Sequence, residues 1–154
     1  MKLPQETELR STTIVVVDDD HAFAEGLRLL LEAEGFRVVA SAANGVEAVN
    51  ATARTRPWFV LMDLDMPEMD GVAATKLIRR WWPDTTVIAV SGANDALLAA
   101  RAEGAGAAAI VSKTDIASRL LELLRGAAAV VGTPAGRSTT RTRPRPAGAK
   151  PLDG

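Results

Sequence analysis

Five short apolar runs, each followed by a stretch of helical periodicity, set the folding problem for this chain. Thr13–Val17 (TIVVV), Trp58–Met62 (WFVLM) and Thr86–Val90 (TVIAV) are continuous, with no polar residue on alternate positions. Runs of that kind suit strands buried on both faces, as in a parallel sheet. Arg37–Ala40 and Ala107–Val111 read as two shorter strands. Between them, Ala22–Glu34 places Phe23, Leu27, Leu30 and Leu31 at helical spacing and is closed by Gly35. Asn44 can cap a helix reaching about Arg54, with Val46 and Val49 inward. Val72–Trp81 is helical and Pro83 stops it. Asp95–Glu103 is a helix closed by Gly104, and Asp115 can cap a last helix to Arg125 or a few residues beyond. Strict alternation of strand and helix predicts the α/β class, a parallel sheet covered on both faces with right-handed crossovers. Roughly 112 residues for five βα units is too short for an eight-fold barrel and suits a doubly wound sheet.

Composition narrows the chemistry. The 154 residues include no Cys and one His, His21. That excludes disulfides, thiolate chemistry, Cys-type zinc sites and multi-His metal sites. His21 reads as an exposed loop residue, and Trp81 and Trp82 as packing anchors rather than a stacking platform. There is no apolar run of about 18 residues, so no membrane span is expected. The polar N-terminus, Met1 to Ser11, has no signal-peptide core. A cytoplasmic location fits these features.

In an open α/β sheet, ligands bind beyond the carboxyl ends of the strands. Strand 1 ends in Asp18, Asp19 and Asp20, strand 3 in Asp63 and Asp65, strand 4 in Ser91 and strand 5 in Lys113. These strands become neighbours in the order 2-1-3-4-5. Carboxylates gathered in one crevice repel each other unless one is protonated or a cation holds them. Oxygen ligands with no His or Cys point to Mg²⁺. A lone Asp at a strand end is ordinarily a turn residue or cap; the force of the pattern is that four strand ends agree. The constellation suits phosphoryl transfer to a carboxylate, with Asp63 as the central nucleophile.

The segments VVVDDDHAFAEGLRLLLEAEGF, VLMDLDMPEMDGVAATKLIRRWWPDTTVIAVSG and GAGAAAIVSK, in that order, resemble a response-regulator receiver domain of two-component signal transduction. The resemblance is nearest to the branch that usually carries a helix-turn-helix output. It implies a flavodoxin-like (βα)5 fold over residues 13–127. It also implies that Asp63 is the phosphoacceptor, Asp19 a direct Mg²⁺ ligand, Asp18 a ligand largely through water, and the backbone carbonyl of Asp65 the third protein ligand. Ser91 and Lys113 would hold the phosphoryl group. The implied phosphoryl donor is a sensor histidine kinase or a histidine phosphotransfer protein. The face of helix 4, strand 5 and helix 5 would receive a partner or a second copy. The chain departs from the family twice: Thr114 stands where Pro often follows the Lys, so that peptide is expected to be trans. Ile110 stands where Tyr or Phe often serves as an aromatic switch, so the loop after strand 4 and helix 4 are expected to carry the change.

Around this unit, residues 1–12 read as an N-terminal extension and 128–154 as a disordered tail, rich in Pro, Arg and Thr. Residues 1–125 hold 13 basic and 18 acidic side chains, whereas the rest carries Arg137, Arg141, Arg143, Arg145 and Lys150 against Asp153. No helix-turn-helix pattern follows, so a stand-alone or truncated regulator is expected, and DNA binding is not expected of this chain alone. Two readings compete with a phosphorylated receiver. A phosphatase of haloacid dehalogenase type would also use a hydrophobic run ending in DxD, but Pro67 stands where that family wants Thr or Val. A pseudo-receiver would be a pure interaction module, against which the intact acidic set, Ser91 and Lys113 argue.

Overall fold

The computed structural model describes residues 12–66, 70–92 and 95–132. The expected extension, except Thr12, and the tail from residue 133 lie outside them, while residues 128–132, expected as the start of the tail, continue the last helix. The strands are β1 (Thr13–Val17), β2 (Arg37–Ala42), β3 (Phe59–Asp63), β4 (Thr86–Ser91) and β5 (Ala109–Ser112). They form one parallel sheet in the order β2-β1-β3-β4-β5. The helices are α1 (His21–Ala33), α2 (Gly45–Thr55), α3 (Gly71–Trp81), α4 (Ala96–Gly104) and α5 (Leu121–Gly132). This is the expected flavodoxin-like (βα)5 architecture.

The two-residue period of each strand divides the core. Val15, Val17, Val60, Met62 and Val87 face one side and pack on Ala48, Val49, Ala74 and Ile78 of α2 and α3. Ile14, Val16, Phe59, Leu61, Ile88 and Val90 face the other and pack on Leu27, Leu31, Leu120 and Leu124 from α1, α5 and the turn before α5. Both faces are thus sealed by helices, which is why β1, β3 and β4 tolerate no polar alternation. Four helices start on carboxylate or amide caps. Asp20 accepts from the Phe23 amide at 3.1 Å, Asn44 from Glu47 at 2.9 Å, Asp70 from Ala73 at 2.8 Å and Asp95 from Leu98 at 3.0 Å. Each such cap contributes about 1 kcal/mol.

Several local expectations are corrected. His21 is exposed but is the first residue of α1, not a loop residue, because Asp20 caps the helix directly before it. Val46 is exposed, since α2 packs through Ala48, Val49, Ala51 and Ala53 instead. β5 starts at Ala109, two residues later than expected, because the Ala107 amide is used to close α4 on the Ala102 carbonyl. Asp115 makes no capping bond; the chain after β5 winds through a 3-10 turn (Lys113–Asp115) and a π turn (Ile116–Leu120) before α5. Ser112 supplies the cap there, accepting from the Thr114 amide. Trp82 is buried and Trp81 packs against the same core, with the Arg56 guanidinium 5.5 Å over the Trp82 ring. Among the described residues no helix is long and apolar enough to cross a membrane.

Candidate functional site

Parallel strands deliver all their carboxyl ends to one edge of the sheet, and the polar residues collect there. β1 and β3 are direct neighbours, with Val17 opposite Met62, so Asp18 and Asp63 emerge side by side. Both are buried, each 3% exposed. The β1 exit turns sharply because Asp18 Oδ1 accepts from the Asp20 amide at 2.8 Å. The β3 exit does the same, with Asp63 Oδ1 accepting from the Asp65 amide at 3.1 Å. Asp19 is exposed, yet its carboxylate joins the other two: oxygens of Asp18, Asp19 and Asp63 all lie within 4.8 Å of one another. The carboxylate of Asp65 is exposed and stands outside that cluster.

β4 and β5 complete the edge. Asp63 pairs with Val90 in the β3–β4 register, so Ser91 lies one residue beyond the level of Asp63, and it is buried. Ser91 is in turn opposite Ser112, which places Lys113 one residue further along β5. The Lys113 ammonium reaches back across the crevice, 2.9 Å from Asp18 Oδ2 and 3.7 Å from Asp63 Oδ2. Its Nζ also sits 4.5 Å from the centroid of the Phe23 ring on α1, a cation–π arrangement. The Lys113–Thr114 bond is trans, no cis peptide occurring among the described residues.

These contacts set the charge states. Burial is the largest influence on Asp63 and disfavours its carboxylate; the Asp65 amide opposes this, the neighbouring Asp18 charge adds to it, and Lys113 opposes it. The balance pushes Asp63 up to about 6. Burial alone would pull the Lys113 ammonium down, but Asp18 and Asp63 outweigh it and hold it above its ordinary value. Three carboxylates therefore face one ammonium. The donors are hard oxygens throughout, and a small hard divalent cation would relieve the excess negative charge. The residues present fit such an ion.

Gly71 opens α3 directly against the end of β3. A Cβ at that position would lie 2.1 Å from the Asp63 carbonyl oxygen and 2.8 Å from Leu64 Cα. The first turn of α3 is thus packed against the backbone that carries Asp63.

Residues 14–125 match the response regulator receiver domain family. The chain belongs to that family. The receiver is 42% identical over 83 residues to the transcriptional regulatory protein YhcZ of Bacillus subtilis, a match covering 53% of this chain and 39% of that protein. It is 35% identical over 111 residues to the chemotaxis protein CheY of Bacillus subtilis, covering 72% of this chain and 92% of CheY. A crystal structure of a two-component response regulator of the LuxR family from Aurantimonas superposes with a TM-score of 0.71 at 33% identity, covering 76% of this chain and 84% of that one. The chain spans between 29% and 56% of the length of the first three curated relatives it matches. A receiver fold with the Asp18–Asp19–Asp63 pocket at its carboxyl edge favours the receiver reading over the haloacid dehalogenase alternative.

Sequence reasoning passed over two members of the site. Phe23 is one of four apolar residues at helical spacing in α1, and nothing local marks its ring as the one beneath Lys113. Gly71 reads in the sequence as the end of a loop before a helix at Val72; it is instead the first residue of α3, and its close approach to Asp63 depends on how α3 returns to β3.

Proposed function

We propose that this receiver accepts a phosphoryl group on Asp63 from a histidine-based donor, in a Mg²⁺-dependent reaction, and so changes which partner it binds. The observation that carries the reading is Lys113 Nζ lying between Asp18 and Asp63 beside a three-carboxylate cluster. The donor N–P bond breaks as the Asp63 carboxylate forms an O–P bond, and the histidine imidazole keeps the nitrogen electron pair. Asp63 is mostly ionised at neutral pH, with a value of about 6, so it is available as the nucleophile. Asp18, Asp19, Asp63 and the Asp65 carbonyl would hold Mg²⁺, which supplies neutralisation of phosphoryl oxygens. Lys113 and Ser91, on the neighbouring strand ends, would bind the remaining phosphoryl oxygens. The donor would be a sensor histidine kinase or a histidine phosphotransfer protein of the cytoplasm. The face of α4, β5 and α5, where Leu97 is 73% exposed, would receive a partner or a second copy. The chain alone is not proposed to bind DNA.

Incubation with acetyl phosphate and Mg²⁺, followed by peptide mapping, tests this. A Mg²⁺-dependent phosphoryl label on Asp63 is expected. Asp19→Ala should raise the Mg²⁺ concentration needed for labelling at least several-fold, since one hard ligand is lost. Labelling elsewhere, or labelling indifferent to Mg²⁺, would refute the assignment.

The domain boundaries are proposed on the same footing: a receiver from residue 13 through the end of α5 at Gly132, flanked by an extension and a basic tail that adds nothing to the core. Ending the chain after Gly132 should then leave the melting temperature within about 5 °C, roughly 1 kcal/mol for a domain of this size. A larger fall in a calorimetric scan would show that the tail is part of the core.

A further inference from the structure

Between α4 and the edge strand β5 lies a cavity of about 460 Å³ that meets the proposed phosphoryl site only at Ser91. Its walls include Ser91, Asp95, Ala96, Ala99, Ile110 and Asp115. The helix wall is low because positions 96 and 99 are alanines, and the strand wall is the half-buried Ile110. Both charged residues in this lining are acids. Asp95 uses one oxygen to cap α4, Asp115 caps nothing, and neither forms an ion pair among the described residues. The groove therefore combines a small apolar floor with a negative rim.

We infer that this groove takes the chain's own basic tail, seating the Arg141-Thr-Arg143-Pro-Arg145 stretch against Asp95 and Asp115. Charge complementarity is the first reason. The chain beyond Gly132 carries four Arg and one Lys against one Asp, and arginine at every second position places one guanidinium about every 6 Å of an extended segment. The prolines at 144 and 146 favour that extended form. Reach is the second reason. α5 runs back from the carboxyl edge, and Arg125 pairs with Glu34 just past the end of α1. The tail thus departs from the far end of the sheet. The return from Gly132 along α5 and the Ile116–Leu120 turn to Asp115 is about 25 Å. The chain from Gly132 to Arg141 spans up to about 30 Å, so the arginines reach the groove in an extended form. Tethering then presents them at a local concentration on the order of millimolar. The contacts are exposed ion pairs and are screened by salt. A docked tail covers part of the face proposed for partners. That consequence rests on the proposed function; the docking itself does not.

The absence of cysteine makes the test clean, because a single nitroxide can be placed at Thr142→Cys in the full chain. At low salt, with no phosphoryl donor, amide signals of Asp95, Ala96, Ala99, Ile110 and Asp115 should broaden strongly, while those of α2 around Val46 remain sharp. Broadening should be independent of protein concentration and should be lost in 0.5 M NaCl (roughly a threefold shorter screening length than at 0.05 M). The pair Asp95→Asn and Asp115→Asn should also remove it; asparagine at 95 keeps a capping acceptor, so α4 persists. Arg141, Arg143 and Arg145→Gln in the labelled chain should do the same. Broadening that is absent, uniform over the surface or abolished by dilution would overturn the intramolecular assignment. None of these readouts requires Asp63 to be phosphorylated, so the docking and the phosphoacceptor reading fail separately.

Discussion

In the presence of a chelator at pH 7, the Asp63→Asn protein should melt at a higher temperature than the wild type while taking no label from acetyl phosphate. Both effects come from one carboxylate. Loss of labelling follows because asparagine offers no nucleophilic oxygen anion. The gain in stability follows from burial: the Asp63 carboxylate is held away from water, beside Asp18, and titrates near 6 instead of 3.8. In the unfolded chain it ionises freely. Below pH 3.8 the group is neutral in both states and carries no penalty. Between pH 3.8 and about 6 the unfolded chain ionises while the folded wild type keeps its proton, and above about 6 both are ionised and the penalty is constant. Stability is therefore lost as pH rises through this window. A shift of this size corresponds to about 2–3 kcal/mol at pH 7, or roughly 10–15 °C in melting temperature. The difference between variant and wild type should be small at pH 4 and reach a plateau above pH 7. Lys113 titrates far above this range and does not blur it. Millimolar Mg²⁺ should close the gap by stabilising the wild type preferentially. A pH-independent difference in melting temperature, or equal labelling of the two proteins, would contradict the account of Asp63.

The second large effect is steric. Gly71→Ala should destabilise the protein by about 3 kcal/mol, the upper part of the range for overpacking in a rigid setting. The added Cβ would lie 2.1 Å from the Asp63 carbonyl oxygen, 2.8 Å from Leu64 Cα and 3.0 Å from the Asp63 carbonyl carbon. All three are backbone atoms, so no side-chain rotation relieves the overlap. Nor can α3 simply slide away. Its first turn is pinned by Asp70 accepting from the Ala73 amide and by Thr75 Oγ1 donating to the Gly71 carbonyl at 2.7 Å. The strain therefore falls on the turn that carries Asp63, and labelling by acetyl phosphate should slow along with the loss of stability. Chemical denaturation, with labelling rates measured well below the transition, would read both. A midpoint within about 0.5 kcal/mol of wild type would mean that the backbone there yields more easily than its packing implies.

The fold was legible because strand burial leaves a local mark. A strand covered on both faces must be apolar at every position, and Thr13–Val17 and Thr86–Val90 say so without reference to anything distant. The same logic made the strand ends conspicuous, since Asp18, Asp63, Ser91 and Lys113 interrupt apolar runs. Alanine-rich stretches were harder. In GAGAAAI no residue carries periodicity, and β5 starts at Ala109, two residues beyond the expected Ala107. In α2 the packing face is made of Ala48, Ala51 and Ala53, and Val46 drew attention to the wrong side. The turn after Lys113 misled for a different reason: Asp115 has the chemistry of a cap, but the backbone winds as a 3-10 and then a π turn, and Ser112 meets the free amide first.

From the sequence alone, then, come the five βα units, the doubly wound class and the identity of the acidic set, because each is encoded in residues a few positions apart. Tertiary structure alone decided which groups touch. Asp18 and Asp63 are adjacent only because β1 and β3 pair, and Lys113 reaches both only because β5 ends at the same edge. The Phe23 ring beneath the ammonium, the backbone pressed on Gly71 and the groove between α4 and β5 all arise where elements distant in the chain pack together. A local pattern records how deeply a residue is buried; it does not record what it is buried against.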